Sequence, residues 1–291
     1  MANCILAFPN IADPVKATLA GGSWVSTLPL TSLQDEVLGT LARSTNANIA
    51  NTLFDITFDK ARLVKVFGLI AHNISTSGQY RLRAFPDAAS RTALTGAIYD
   101  SGLTDVWTAI YESLVLEWED VSFWDGKPSA ESLASLNPSL IFVLASNTLA
   151  QYWRFEIQDA ANPAGYVEAG KLVMAAQWQP TYNMQYGASL GTKDRSEVEE
   201  SIGGTTYATR RSIKRVAKFK IAALSEAEAM AKAFDIKRVA GNTSELLFVW
   251  DPDNAAQLQR MSFLGRITDS DPVAIPTPDW WETTFEIEER V

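Results

Sequence analysis

The stretch QYWRFEIQDAANPAGYVEAGKLVMAAQWQPT, residues 151–181, decides how this chain folds. Its first part alternates the apolar residues Trp153, Phe155 and Ile157 with polar ones, a period of two that is typical of a β-strand with one buried face. Residues 159–165 then hold Asp, Asn, Pro and Gly, which set turns and end strands. None of these residues suggests catalysis, so the stretch predicts architecture rather than activity.

A second strand is predicted after this turn. Residues 171–178 are apolar on both alternating faces, which indicates a buried strand, and Pro180, which has no backbone N–H to donate, marks its end. The two strands and the turn together predict a hairpin. Upstream, residues 51–86 contain three more strand patterns at short spacing, separated by turn residues. These segments predict an antiparallel β-sandwich.

Composition places the chain among ordinary soluble globular proteins. Its 291 residues are 47% hydrophobic and 20% charged, enough for one large or two medium domains with their own cores. A net charge of −9 argues against nucleic-acid binding as the main function, because phosphate contact needs a basic surface. Cys4 is the single cysteine, so an intrachain disulfide is excluded. We find neither a signal peptide nor a membrane span in the sequence and expect folding in a cytoplasm.

A long irregular excursion, residues 87–147, interrupts the strand pattern. Its aromatic loop, residues 99–124, carries Trp107, Trp118 and Trp124 among Gly, Ser and acidic residues. Loops of this length usually form functional or binding surfaces. The alternative is that these aromatic side chains fill a core that the loop covers.

The last third of the chain changes character twice. Residues 182–205 are polar and contain glycine, which predicts a connecting segment or a long hairpin. We therefore predict a β-sandwich domain over 1–181 and a smaller β-rich domain with one helix over 206–291. The fold class is mainly β.

The one helix of the second domain has a start signal and an apolar face. Ser225 and Glu228 fit a capping box, in which each side chain satisfies a free amide of the first turn. Ala227, Met230, Ala231 and Phe234 recur at helical spacing, which predicts that they form the buried face. We expect these four residues to pack against the sheet of the second domain.

Few residues suggest catalysis or metal binding. His72 is the only histidine and lies at the end of an apolar strand, which favours a structural role over a triad. No glycine-rich phosphate loop is present. Glu117, Glu119 and Asp120 beside Trp118 are compatible with glycosidase acids or calcium ligands, but solvated loop acids are commoner. We predict no catalytic residue, no cofactor and no metal.

One basic cluster stands out in this acidic chain. One interpretation is contact with nucleic acid passing nearby. The favoured interpretation pairs the cluster with acidic strands, including Glu286 and Glu288, within the subunit or across a subunit interface. The cluster consists of Arg210, Arg211, Lys214, Arg215, Lys218 and Lys220.

Two parts of the chain resemble known families. Residues 51–86 together with YWRFEIQDAANPAGYVEAGKLVMAAQW resemble a galactose-binding-like (discoidin) jelly roll. The part from Tyr207 through the capped helix to the final FEIEE is similar to the small β-barrel-plus-helix domain of tailed-phage tail proteins. The combination is similar to distal tail or minor tail proteins of siphophages.

This resemblance implies a structural, non-enzymatic subunit of the virion tail tip. It implies a three- or six-fold homo-oligomeric ring that contacts tube, hub and receptor-binding proteins and through which DNA would pass without specific binding. The basic cluster with Glu286 and Glu288 is then expected at the subunit interface. The alternative function is a carbohydrate-binding module with weak glycan affinity. In that case sugars would stack on Trp107, Trp118 or Trp124.

Overall fold

The computed structural model describes residues 2–111, 118, 122–129, 133, 137–269 and 271–291. The chain divides into two compact units. The jelly-roll unit comprises residues 9–177 and 252–260, and the sheet-and-helix unit comprises residues 1–8, 178–251 and 261–291. The first eight residues therefore belong with the C-terminal part of the chain. No helix in the described ranges is long and apolar enough to cross a membrane.

Strands account for most of the regular structure. The first ten in chain order are β1 (Ile5–Ala7), β2 (Ala17–Ala20), β3 (Ala42–Arg43), β4 (Phe54–Ile70), β5 (Gln79–Phe85), β6 (Tyr99–Asp100), β7 (Thr104–Asp105), β8 (Ser139–Gln158), β9 (Glu168–Ala169) and β10 (Lys171–Ala175). The others are β11 (Gln177–Trp178), β12 (Ser189–Lys193), β13 (Glu197–Glu200), β14 (Thr206–Thr209), β15 (Lys214–Leu224), β16 (Glu245–Val249), β17 (Phe263–Asp269), β18 (Ala274–Thr277) and β19 (Trp280–Glu289).

The jelly-roll unit is organised around the two longest strands. β4 and β8 run antiparallel, with neighbours in the order β10-β4-β8-β5-β6, while β2 adds to β4 and β7 to β5. The β4–β8 register shifts twice, once between Thr57 and Arg62 and again between Val64 and Val66. Such bulges bend a strand and increase its twist. Two short helices, α1 (Ile49–Thr52) and α2 (Ala88–Ala93), and a 3-10 helix (Leu30–Gln34) complete the unit.

The alternation predicted for β8 is confirmed. Trp153, Phe155 and Ile157 are buried, and the Phe155 ring stacks on Phe67 with centroids 4.7 Å apart. On the opposite face Arg154 donates to Asp55 at 2.6 Å, across to β4. The period of two thus separates a core face from an ion-paired face.

The predicted hairpin between β8 and β10 is wrong. β10 is buried along its whole length, as expected, but it pairs with β4, with Val173 opposite Gly68. β8 pairs with β4 as well, with Phe155 opposite Phe54. The long strand β4 lies between the two, so the turn at 159–165 carries the chain across β4.

The sheet-and-helix unit is built on an open sheet. Its strands follow the order β11-β1-β16-β17-β19-β15-β12, and every neighbouring pair from β1 to β12 is antiparallel. The predicted fold class is confirmed, except that the barrel predicted here is a sheet with free edges at β11 and β12. The N-terminal strand β1 pairs with β16, with Ile5 opposite Val249.

A helix of three successive segments packs on this sheet. We call it α3; it comprises Glu226–Glu228, a π-helical part Ala229–Phe234, and Asp235–Ala240. The Ser225 side chain accepts a hydrogen bond from the Glu228 N–H, as predicted. The Glu228 carboxylate, however, accepts from Trp178 and from the backbone of Thr181 rather than closing the capping box. The last short helix of the chain, α4, spans Leu258–Met261.

The predicted buried face of α3 is wrong. Met230 and Phe234 are 43% and 46% exposed. The buried face consists instead of Ala229, Ala233, Ile236 and Ala240. Three of these are alanines, and their small side chains let the helix lie close to the sheet.

Candidate functional site

Trp107 belongs to the core of the jelly-roll unit. Only 5% of it is exposed, and its indole N–H donates to the Ile74 carbonyl at 3.1 Å. Its ring centroid lies 5.7 Å from that of His72. Neither face of this ring is free to stack on a ligand, so the predicted sugar contact is restricted to the other two tryptophans.

His72 is buried beside it and fits the predicted structural role. Its Nδ1 accepts a hydrogen bond from the Ile74 N–H at 3.2 Å, which places the proton of the neutral ring on Nε2. Nε2 has no hydrogen-bond partner in the described part of the chain. Burial lowers the pKa of His72 to about 3, so the ring is neutral at physiological pH.

Trp118, Phe123 and Trp124 form an aromatic cluster on the surface. The tryptophans are 70% and 76% exposed. The three rings contact one another edge to face, with centroids 5.2 to 5.4 Å apart. This mutual packing holds the rings in place while leaving large apolar faces open to solvent.

The chain just after this cluster is anchored to the body of the unit. The Lys127 ammonium donates to the Thr76 carbonyl at 3.1 Å and to Asp105 at 2.9 Å. The Gly126 carbonyl accepts from the Tyr111 N–H at 3.1 Å. Gly126 has φ +63°, and a Cβ there would lie 2.4 Å from the Tyr111 carbonyl oxygen, so this position requires glycine.

An open cavity of about 600 Å³ lies near the end of β8. It combines amide side chains, a carboxylate and short apolar residues. Its walls come from the segment leading into α1 and from the turn after β8. The lining residues are Asn46, Ala47, Asn48, Ile49, Gln158, Asp159, Ala160 and Gly165.

The carboxylate of this cavity is fully used by the fold. Asp159 is buried and accepts from the Ser75 N–H at 2.8 Å, from the Ser75 hydroxyl at 2.5 Å and from the Asn162 amide at 2.7 Å. These bonds fix the turn after β8 against the loop between β4 and β5. Asp159 therefore shapes the cavity and has little capacity left for a ligand.

The amides of the cavity keep their N–H groups free. The Asn46 carbonyl oxygen accepts from the Asn48 N–H, and that of Asn48 accepts from the Ala50 N–H. The side-chain N–H groups of both, and the whole amide of Gln158, make no hydrogen bond to another described residue. Three amides thus offer donors to a polar ligand.

The cavity and the aromatic cluster are tied to one loop. Ser75 binds Asp159 of the cavity, and the next residue, Thr76, binds Lys127 behind the cluster. The loop between β4 and β5 thus contacts both the turn that lines the cavity and the segment that follows the aromatic cluster. The sequence indicated the tryptophans but not the cavity, because asparagines in a turn are usually explained by backbone geometry alone.

The acidic residues considered as catalytic or calcium-binding groups are not among those the structure describes. Glu117, Glu119 and Asp120 lie outside the described residues. Among the described residues, no group of three His, Cys, Asp or Glu side chains is arranged to hold a metal ion.

Five of the six residues of the basic cluster form ion pairs within the chain. The sixth, Arg210, is exposed on the segment before β15. This pairing agrees with the interpretation that the cluster pairs with acidic residues within the subunit, and its position at a subunit interface stays a prediction. The pairs are Arg211 with Glu197 at 2.7 Å, Lys214 with Glu288 at 3.3 Å, Arg215 with Glu289 at 2.6 Å, Lys218 with Glu286 at 3.2 Å and Lys220 with Glu282 at 2.7 Å.

Comparison with known proteins returns structures but no family. No protein-family model and no curated protein matches the chain. The family 32 carbohydrate-binding module of NanJ from Clostridium perfringens, solved with galactose, is 13% identical over 59% of this chain and 99% of its own, with a TM-score of 0.37. The lectin-binding domain of lectinolysin, complexed with Lewis b, is 11% identical over 58% and 97%, with a TM-score of 0.36.

A third structure is similar to the same degree. Chitosan-binding module 1 of a chitosanase/glucanase from Paenibacillus sp. IK-5 is 12% identical over 58% of this chain and all of its own, with a TM-score of 0.36. Likeness at this level carries no argument about what the present chain binds, so its function is argued from its own side chains. Nothing in the comparisons supports the predicted membership of the phage tail proteins.

Proposed function

We propose that the jelly-roll unit binds carbohydrate. Trp118 and Trp124 form the stacking surface, and the free amides of the cavity near the end of β8 donate to hydroxyl groups. The exposed aromatic cluster is the observation that carries this proposal. A single exposed tryptophan is common, but three rings that touch one another at the surface form an apolar patch of the kind found at binding sites.

The chemistry of sugars matches this combination of groups. A pyranose ring presents a face of C–H groups, which packs on an indole, and a rim of hydroxyl groups, which need hydrogen-bond partners when they leave water. Asn46, Asn48 and Gln158 supply N–H donors. Aromatic faces with a few placed polar groups are the usual composition of a small-ligand site.

The proposed activity is binding without catalysis. Glycoside hydrolysis needs two carboxylates flanking the scissile bond. Asp159, the only acid in the wall of the cavity, is occupied by three hydrogen bonds from within the unit. A tail-tip role stays a separate prediction that the site neither requires nor excludes.

The test is a glycan array probed with the full chain, followed by calorimetry with the strongest glycan. We expect binding, and we expect Trp118→Ala with Trp124→Ala to weaken it at least about 30-fold, the effect of removing about 2 kcal/mol of contact. Tyr186→Ala is the matched control, because Tyr186 is a fully exposed aromatic of the other unit. An array without signal above background would refute the proposal.

A further inference from the structure

A hairpin projects from the sheet-and-helix unit. β12 and β15 pair up to Lys193 opposite Lys214, and the same two chain segments continue as β13 and β14, from Glu197 opposite Thr209 to Glu200 opposite Thr206. All eight residues of β13 and β14 are exposed. This arm therefore presents two paired strands whose side chains all face solvent.

The tip of the arm is acidic and apolar. Residues 196–209 hold three glutamates and no basic residue, and Arg195, Arg210 and Arg211 flank this tip. Large apolar side chains on the arm are also exposed. The acidic residues are Glu197, Glu199 and Glu200, and the apolar ones are Val198, Ile202 and Tyr207.

The outer face of the sheet in this unit has the opposite charge at its surface. Between Ala217 and Ile221 in β15 and between Thr283 and Ile287 in β19, odd-numbered residues such as Phe219 and Phe285 lie in the core, so even-numbered ones point outward. On this face Lys218 is 59% exposed while its partner Glu286 is 31% exposed. Lys193 is likewise 59% exposed against 17% for Glu288. Lys193, Lys218 and Lys220 are thus each more exposed than their glutamate partners on this face.

An aromatic patch adjoins these lysines. Lys220 pairs with Glu282 at 2.7 Å, two residues from Trp280 on the same face of β19. Trp280 is exposed and contacts Tyr182 edge to face at 6.2 Å, and Ile275 of β18 is exposed as well. The outer face thus combines basic and apolar groups, the complement of the acidic and apolar arm.

We infer that the tip of the arm, residues 196–209, docks on the outer face of this unit in a second copy of the chain. The arm continues the β12–β15 ribbon past the sheet, with one extra residue on the β14 side, so reaching its own outer face would require the ribbon to reverse. A contact between two different surfaces is heterologous and repeats from copy to copy. This inference does not depend on carbohydrate binding.

Sedimentation velocity of the full chain over rising concentration tests the inference. The wild type should associate, and added salt should weaken the association because exposed charges are screened. In the arm variant, Glu197, Glu199 and Glu200 are each changed to Lys; in the face variant, Lys218 and Lys220 are each changed to Glu. Each variant should associate at least about tenfold more weakly than the wild type. An equimolar mixture of the two variants should associate again, because the opposed charges are restored.

A control variant carries Glu226→Lys and Lys232→Glu on the exposed side of α3 and should associate like the wild type. Circular dichroism on each variant verifies that the sheet is intact. A wild type that stays monomeric overturns the inference. So does association that survives charge reversal in the arm, or a mixture of the two variants that stays monomeric.

Discussion

Trp107 and Trp124 come from one loop excursion and play opposite structural parts. Trp107 gives its N–H to a backbone carbonyl and its ring to His72, so it is enclosed on all sides. Among the described aromatic residues Trp124 contacts Trp118 and Phe123, and it exposes three quarters of its surface. The comparison shows that a tryptophan is committed to the core when its polar atom finds a backbone partner there. The rings of Trp118 and Trp124 remain available to a ligand.

Removing the buried ring should produce the largest effect. Trp107→Ala leaves a cavity and an unpaired Ile74 carbonyl, and we expect the free energy of unfolding to fall by about 3–5 kcal/mol. Urea unfolding measures this. Trp124→Ala serves as the comparison and should change stability by less than about 0.5 kcal/mol. Equal losses of unfolding free energy in the two variants would contradict the assignment of Trp107 to the core and Trp124 to the surface.

Acid should act on the buried region and not on the exposed one. His72 titrates at about 3 in the fold and near 6.5 when unfolded. Because its folded pKa is the lower one, the unfolded chain takes up the proton first, and stability is lost as pH falls from about 6.5 towards 3. From pH 7 to about pH 5 we expect a loss of about 2 kcal/mol from this residue.

The control for this pH dependence is His72→Asn. Its side-chain oxygen can replace Nδ1 as acceptor for the Ile74 N–H, and it does not titrate. The difference in stability between wild type and this variant should shrink or reverse sign as pH falls. A difference that stays constant across this range would show that His72 does not charge on unfolding.

Shrinking the exposed ring should grade the binding. Trp124→Phe keeps an aromatic face of smaller area, so its glycan affinity should lie between those of the wild type and Trp124→Ala. Titration calorimetry measures the order. Phe and Ala variants of equal affinity would mean that the ring face makes no contact with sugar.

Loosening the anchor behind the aromatic cluster should have the smallest effect. Lys127→Met removes the ammonium that joins Thr76 to Asp105 but keeps most of the stem. We expect stability to fall by no more than about 1 kcal/mol and binding to weaken a few-fold. A loss of stability as large as that of Trp107→Ala would place the anchor among the determinants of the core.

Local patterns in the sequence predicted local structure well. The period of two at Trp153, Phe155 and Ile157 identified the buried face of β8, and Ser225 identified the start of α3. Both depend on neighbours within a few residues, and neighbours are what a sequence displays.

The predictions that were wrong concern contacts between residues far apart in the sequence or the size of the side chains that meet. The partner of β10 depends on the length of β4, whose residues lie about a hundred positions upstream. The face of α3 was mistaken because size, and not only apolar character, decides what meets a sheet, so Ala229 and Ala233 are buried where Met230 and Phe234 are not. The different burial of Trp107 and Trp124 was likewise not predictable, because no spacing rule places the Ile74 carbonyl and His72 beside Trp107.

The indole N–H signals of the nine tryptophans can show directly whether the exposed tryptophans, and not the buried Trp107, contact the glycan. The N–H correlation spectrum would be recorded while the strongest glycan from the array is added, with signals assigned through single Trp→Phe variants. We expect the signals of Trp118 and Trp124 to shift and saturate together while that of Trp107 stays in place. Shifts confined to other tryptophans, with Trp118 and Trp124 unmoved, would contradict this expectation.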